Sequence, residues 1–216
     1  MIRKYLITAL TAFTTLTAAP QAIVFDFGGV LTGVPNREVV IQFIRESFGF
    51  SAEEFENANQ LKRKAVERGK TDEEFWLGYA KRRGIELPPT WSQDFKKVCK
   101  EALGVNESMF GFVEQLKQEG YKVGLLSNID ARLAGLVRWI GLYEPFKPCL
   151  LSYKIGFEKP DPRIYEYLVK EMSLPAGEIV FIDDNPENVA AAKQVGLDAI
   201  LFSSQADLER EIKARM

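Results

Sequence analysis

Short apolar runs recur along this chain, each followed by a stretch in which apolar residues return every three or four positions. The runs are Ala22 to Phe25, Lys122 to Leu126, Ile179 to Ile182 and Asp198 to Phe202. Runs this short, without polar alternation, predict strands buried on both faces, the pattern of a parallel sheet covered by helices. The end signals of the predicted helices agree. Gly120 stands where a C′ glycine would stop a helix carrying Phe110, Val113 and Leu116. Asp130 is placed to cap a segment with Leu133, Leu136, Val137 and Ile140, which Gly141 closes. Asp161-Pro162 opens a segment with Ile164, Tyr165, Leu168 and Val169, and Asn185-Pro186 opens one that runs through Val189 to Gly196. Each strand is thus followed by a helix that returns the chain. The expected fold is α/β, a doubly wound, Rossmann-like parallel sheet whose ligand site lies at the carboxyl ends of its strands.

Residues 36–106 break this rhythm. They contain no strand run, are dense in charge, and carry Phe43, Phe48, Phe55, Phe75, Trp76, Tyr79 and Phe95 at helical spacing. That pattern predicts a helical insertion with a small aromatic bundle core. The core of the protein is then formed by residues 22–35 and 107–216, and residues 36–106 form a helical cap. The basic clusters Lys62-Arg63-Lys64 and Lys81-Arg82-Arg83 are expected on solvated helix faces, with one member free to reach a polar group of a substrate. Residues 1–21 stand apart. Arg3 and Lys4 precede an acid-free run rich in Thr and Ala, which is either a removed leader or a plain N-terminal extension. The run is too short and too Thr-rich to span a membrane. The cytoplasm is the expected compartment, with export or an organelle left open by residues 1–19.

Composition narrows the chemistry. The chain has 216 residues, 46% apolar and 27% charged, which suits one globular domain with an inserted module. A formal net charge of -2 provides no basic field for a polyanion, so no nucleic-acid partner is expected. There is no histidine, and proton transfer and metal ligation must fall to carboxylates. Cys99 and Cys149, the only two cysteines, lack metal-ligand spacing and read as reduced. No oligomeric state is legible.

Four stretches carry chemistry: Asp26-Phe27-Gly28-Gly29, Ser127-Asn128, Lys159-Pro160 and Asp183-Asp184-Asn185. Taken singly, each has a plain reading as a turn, a loop start, a surface lysine or a helix cap. Capping needs one side chain, however, and two adjacent acids leaving a buried strand repel each other unless a cation lies between them. Together the four supply carboxylates, a hydroxyl and an ammonium, the groups that hold Mg²⁺ and attack a phosphoryl group.

In this order the four stretches resemble the signature motifs of the haloacid dehalogenase superfamily of hydrolases, in the subgroup with a helical cap between the first and second motifs. The resemblance covers about residues 22–203, and the stretch from Arg68 to Phe75 resembles caps of that subgroup. Within it, the chain is most similar to sugar-phosphate phosphatases and to the phosphatase domain of soluble epoxide hydrolases. The resemblance implies an Mg²⁺-dependent phosphatase acting on a small phosphorylated metabolite, such as a sugar phosphate, through an aspartyl-phosphate. It implies Asp26 as nucleophile and Lys159 as the cation shared by nucleophile and phosphate. Ser127, Asn128 and Lys159 are implied to bind the phosphate, and Asp26, the Gly28 carbonyl, Asp184 and Asp183 to bind the metal, the last directly or through water.

One position departs from the family pattern. The usual second acid, two residues after the nucleophile, is Gly28 here. Its carbonyl can ligate a metal but cannot transfer a proton, a loss worth about 10²–10⁴-fold in rate for poor leaving groups. The rival readings are a dehalogenase, a phosphonate hydrolase that would need a cap lysine such as Lys62, Lys64 or Lys70, and a phosphoryl-binding regulatory protein without turnover. The acid pair argues against a metal-free dehalogenase, where it would be an electrostatic cost.

Overall fold

The computed structural model describes residues 19–216, so residues 1–18 of the leader or extension lie outside the described residues. Five strands form one parallel sheet: β1 (Ala22–Phe25), β2 (Lys122–Ser127), β3 (Cys149–Leu151), β4 (Ile179–Asp183) and β5 (Asp198–Leu201), in the order β3-β2-β1-β4-β5. β1 is central, and all four of its residues are buried. Its side chains alternate between two cores. Ile23 and Phe25 join Val180, Ile182 and Leu125 on one face, while Ala22 and Val24 join Phe181, Ile179 and Leu126 on the other. Burial on both sides is the reason the sequence shows continuous apolar runs here instead of alternation.

β3 is absent from the sequence-based expectation. It has only three residues, follows Pro148 directly and runs straight into α7 (Ser152–Ile155) with no turn residue between them. So short an apolar triplet carries no periodicity to read.

The expected helices form with the expected ends. α5 (Glu107–Gln118) stops before Gly120, which has φ 97°, and α6 (Ala131–Ile140) starts on Asp130, whose carboxylate accepts from the Leu133 N–H at 2.8 Å. α8 (Pro162–Met172) and α9 (Pro186–Gln194) each carry proline in the first turn and an Asx cap before it. α10 (Gln205–Lys213) completes the chain. Among the described residues, no helix is long and apolar enough to cross a membrane.

The insertion consists of α1 (Arg37–Phe48), α2 (Ala52–Glu67), α3 (Asp72–Arg83) and α4 (Trp91–Ala102). Ser51 and Thr71 begin α2 and α3 with reciprocal capping boxes, in which the cap hydroxyl and the glutamate three residues on each satisfy a free N–H. Phe48, Phe50, Phe55, Phe75, Trp76 and Tyr79 pack ring on ring with centroids 5.0 to 6.5 Å apart. This aromatic core is not isolated. It is continuous with one face of the sheet, and Phe95 of α4 lies 5.5 Å from the ring of Trp139 on α6. Trp139 also donates from Nε1 to Glu73 Oε2 at 2.7 Å, a second tie between α6 and the insertion, this time to α3.

Candidate active site

The register of the sheet assembles the site. Phe25 pairs with Leu125 on one side and Ile182 on the other, so the next residues, Asp26 and Asp183, emerge side by side at the carboxyl edge. The Asp26 N–H still donates to the Ile182 carbonyl at 2.8 Å, which fixes this last rung. The chain then turns at Gly28-Gly29. Gly29 has φ 75°, and a Cβ there would fall 2.1 Å from Asp184 Oδ2, so only glycine lets the Asp184 carboxylate close on the turn. Asp26, Asp183 and Asp184 each offer an oxygen, and these oxygens lie within 4.8 Å of one another.

Lys159 stands between two of the acids. Its Nζ lies 2.7 Å from Asp26 Oδ1 and 2.6 Å from Asp183 Oδ2, and its side chain is only 1% exposed. A lysine buried this deeply is far from the surface residue that its sequence position suggests, and two carboxylates offset its desolvation. Asn128 holds the main chain beneath it: the side-chain amide donates to the Lys159 carbonyl at 2.8 Å, and its oxygen accepts from the Lys159 N–H at 2.9 Å. Both polar ends of the Asn128 side chain are thus engaged. The side chain of Asn128, expected to bind phosphate, thus makes its hydrogen bonds to the main chain of Lys159.

Asp183 is likewise an anchor. It is fully buried; Oδ1 accepts from the Asn185 N–H at 2.8 Å and Asn188 Nδ2 at 3.0 Å, and Oδ2 accepts from Lys159 at 2.6 Å and Asn188 at 3.1 Å. Its four acceptor sites are occupied. Direct ligation of a metal would break one of these bonds, so Asp26 and the exposed Asp184 are the carboxylates with ligating capacity to spare. Ser127 closes β2 and is 3% exposed. The loop after it is held by Ser152, whose Oγ accepts from the Ile129 N–H at 3.0 Å and donates to the Ile129 carbonyl at 3.3 Å.

Burial raises the Asp26 carboxyl to about 6; the Lys159 ammonium opposes the shift, and the neighbouring Asp183 adds to it. Three acids therefore share one ammonium. Two like charges at about 4–5 Å repel by about 3–4 kcal/mol at an effective dielectric of about 20, so the cluster is short of positive charge. A hard divalent cation fits this donor set of oxygens alone, in a chain without histidine.

Asn188 and Ser152 were not singled out from sequence. Asn188 lies five residues beyond Asp183, on the inner face of the first turn of α9, where an asparagine aligned with buried Val189 was the available signal. Ser152 follows the unread strand β3, so nothing marked it. Of the lysines in the insertion, Lys62 departs from the expected solvated face: it is half-buried and bonded to Asp72 at 2.6 Å. Lys64 and Lys70 are exposed.

Comparison with known proteins places these features. A sequence profile of haloacid dehalogenase-like hydrolases matches residues 20–196. D-ribitol-5-phosphate phosphatase of Bacteroides thetaiotaomicron is 26% identical over 204 residues, covering 88% of this chain and 95% of that protein. Bifunctional epoxide hydrolase 2 of Rattus norvegicus is 24% identical over 214 residues, 90% of this chain, and the chain spans only 38% of its length. Among solved structures, a HAD-like family hydrolase from Porphyromonas gingivalis aligns with a TM-score of 0.54 at 25% identity, covering 91% of this chain and 98% of its own. With the profile spanning most of the chain, and the strand-end acids, lysine and serine gathered at one sheet edge, the chain belongs to the haloacid dehalogenase-like hydrolase family.

Proposed function

We propose that the protein is an Mg²⁺-dependent phosphatase that hydrolyses a small phosphomonoester through an aspartyl-phosphate on Asp26. The observation that carries this reading is the cluster itself: three carboxylates within 4.8 Å, with Lys159 bridging Asp26 and Asp183. The D-ribitol-5-phosphate phosphatase likeness, which runs nearly the full length of both chains, supports the same class of reaction. A dehalogenase would have no use for Asp184 beside the nucleophile.

In this reading Asp26, Asp184 and the Gly28 carbonyl would hold Mg²⁺, which when bound would supply positive charge to the phosphoryl oxygens. Asp26 attacks phosphorus through a carboxylate oxygen, forming the O–P bond as the ester oxygen departs with the bonding pair and takes its proton from water, since Gly28 offers none. Lys159, oriented by Asp183, cancels the repulsion between the anionic nucleophile and the anionic ester. The Ser127 hydroxyl and the backbone beside it donate to phosphoryl oxygens, while Asn128 keeps Lys159 in register. Water then hydrolyses the acyl-phosphate and returns Asp26. Helices α1 to α4 act as the cap over this edge.

The test is hydrolysis of p-nitrophenyl phosphate and a metabolite panel, with Mg²⁺ or with chelator, by the protein and by Asp26→Asn. Turnover is expected only with Mg²⁺ and only with Asp26 intact. Activity that survives the substitution would overturn the reading, and so would Mg²⁺-dependent phosphate binding with no turnover on any ester.

A further inference from the structure

β4 reads Ile-Val-Phe-Ile-Asp, and its one aromatic ring, Phe181, stands two residues before Asp183. Side chains two apart on a strand share a face, so the ring and the carboxylate project from the same side of the sheet. Val24, paired with Phe181 in the register, stands likewise two residues before Asp26. Lys159 crosses this face. Its Nζ meets Asp26 Oδ1 at 2.7 Å and Asp183 Oδ2 at 2.6 Å, and it lies over the Phe181 ring, 5.5 Å from the centroid. The ring is fully buried and held from the side. Tyr165, also fully buried, packs against it at 71° with centroids 5.5 Å apart, and the Tyr165 hydroxyl donates to the Asn188 carbonyl at 2.9 Å.

An aliphatic residue, such as the Val and Ile on either side of it in β4, would fill this core as well. Only a ring sets the negative face of a quadrupole against a cation, an attraction that grows when water is excluded from both. The contact matters most while the proposed reaction is under way. Once Asp26 has become an acyl-phosphate, its oxygens no longer carry the full charge of a carboxylate, and one of the two anions that hold Lys159 weakens. The pull of the ring does not depend on the state of Asp26.

We propose that Phe181 is a positioning residue for Lys159, a cation–π support that keeps the ammonium in place while Asp26 exchanges its charge for a bond to phosphorus. Phe181 acts through Lys159 alone, so its effect on rate rests on the phosphatase reading.

The test replaces Phe181 with mono-, di- and trifluorophenylalanine, which keep the ring close to its size and apolarity while drawing electron density from its face. With p-nitrophenyl phosphate and Mg²⁺, kcat is expected to fall stepwise with the number of fluorines, with KM little changed. The fall at three fluorines should be about tenfold, the equivalent of about 1.4 kcal/mol. The thermal unfolding midpoint of the free protein is expected to drop along the same series. The same replacement at Phe112, a buried ring with no cation over it among the described residues, measures what the fluorines cost by size alone. A flat kcat, or a midpoint that drops no further than in the Phe112 series, overturns the proposal and leaves the phosphatase reading standing. Should the unsubstituted protein hydrolyse no ester, the phosphatase reading falls separately, and the unfolding series still decides whether the ring holds the ammonium.

Discussion

Gly28 is the residue at which this chain departs from its family, and the structure shows what that position can accept. A Cβ built there meets nothing within 4 Å, and its backbone lies outside the left-handed region that excludes other residues. Gly28→Asp should therefore fold and present an acid beside Asp26. Its turnover of alkyl phosphates is expected to rise about 10²-fold, with p-nitrophenyl phosphate changing little because that leaving group needs no proton. An equal effect on both esters in steady-state assays would show that the missing acid is not what limits the protein. Asn188 offers a contrasting case, since its role is structural support of a charge. Asn188→Ala removes the hydrogen bonds to both oxygens of buried Asp183 and is expected to cost about 1.5–3 kcal/mol in urea unfolding. A cost below about 0.5 kcal/mol would mean that Asp183 finds other partners.

At the scale of elements, the site depends on two loops being tied to each other. Asn128, after β2, and Lys159, before α8, exchange two hydrogen bonds across 31 residues of chain. Asn128→Ala cuts this tie while leaving the lysine and both acids in place. A displacement of about 1 Å at a reacting group costs up to about 10²-fold, so kcat is expected to fall by about that factor while the protein stays folded. An unchanged kcat would show that Asp26 and Asp183 position Lys159 unaided. The same elements show what was legible beforehand. The caps at Asp130, Asp161 and Asn185 and the stop at Gly141 are local signals, satisfied within a few residues, and each helix begins or ends where they predict. β3 is recognisable only as the partner of β2, because three residues carry no period of their own.

At the scale of the whole molecule, the insertion and the sheet share one apolar cluster, and Cys99 lies within it at 2% exposure. Burial pushes its thiol up to about 12, so at pH 8 only about one thiol in ten thousand is the reactive thiolate. Cys99 should resist a thiol reagent in the native protein and react when the helices of the insertion separate from the sheet face. Cys149 is half-buried and supplies the internal comparison. Labelling of Cys99 as fast as that of Cys149 at pH 8, followed by mass spectrometry, would contradict the packing described.

Local pattern along the chain is enough to mark the strands at the centre of the sheet, the helix ends and the residue types available for chemistry. These follow from short-range physics, namely burial on both faces, capping and turn geometry. What each polar group is bonded to depends on the packing of distant segments. That packing engaged the Asn128 side chain with Lys159, bonded both oxygens of Asp183 and buried Lys159 between two acids. Such pairings join residues tens of positions apart, and a hydrogen bond or a cavity wall exists only once the packing of separate elements has brought its two sides together.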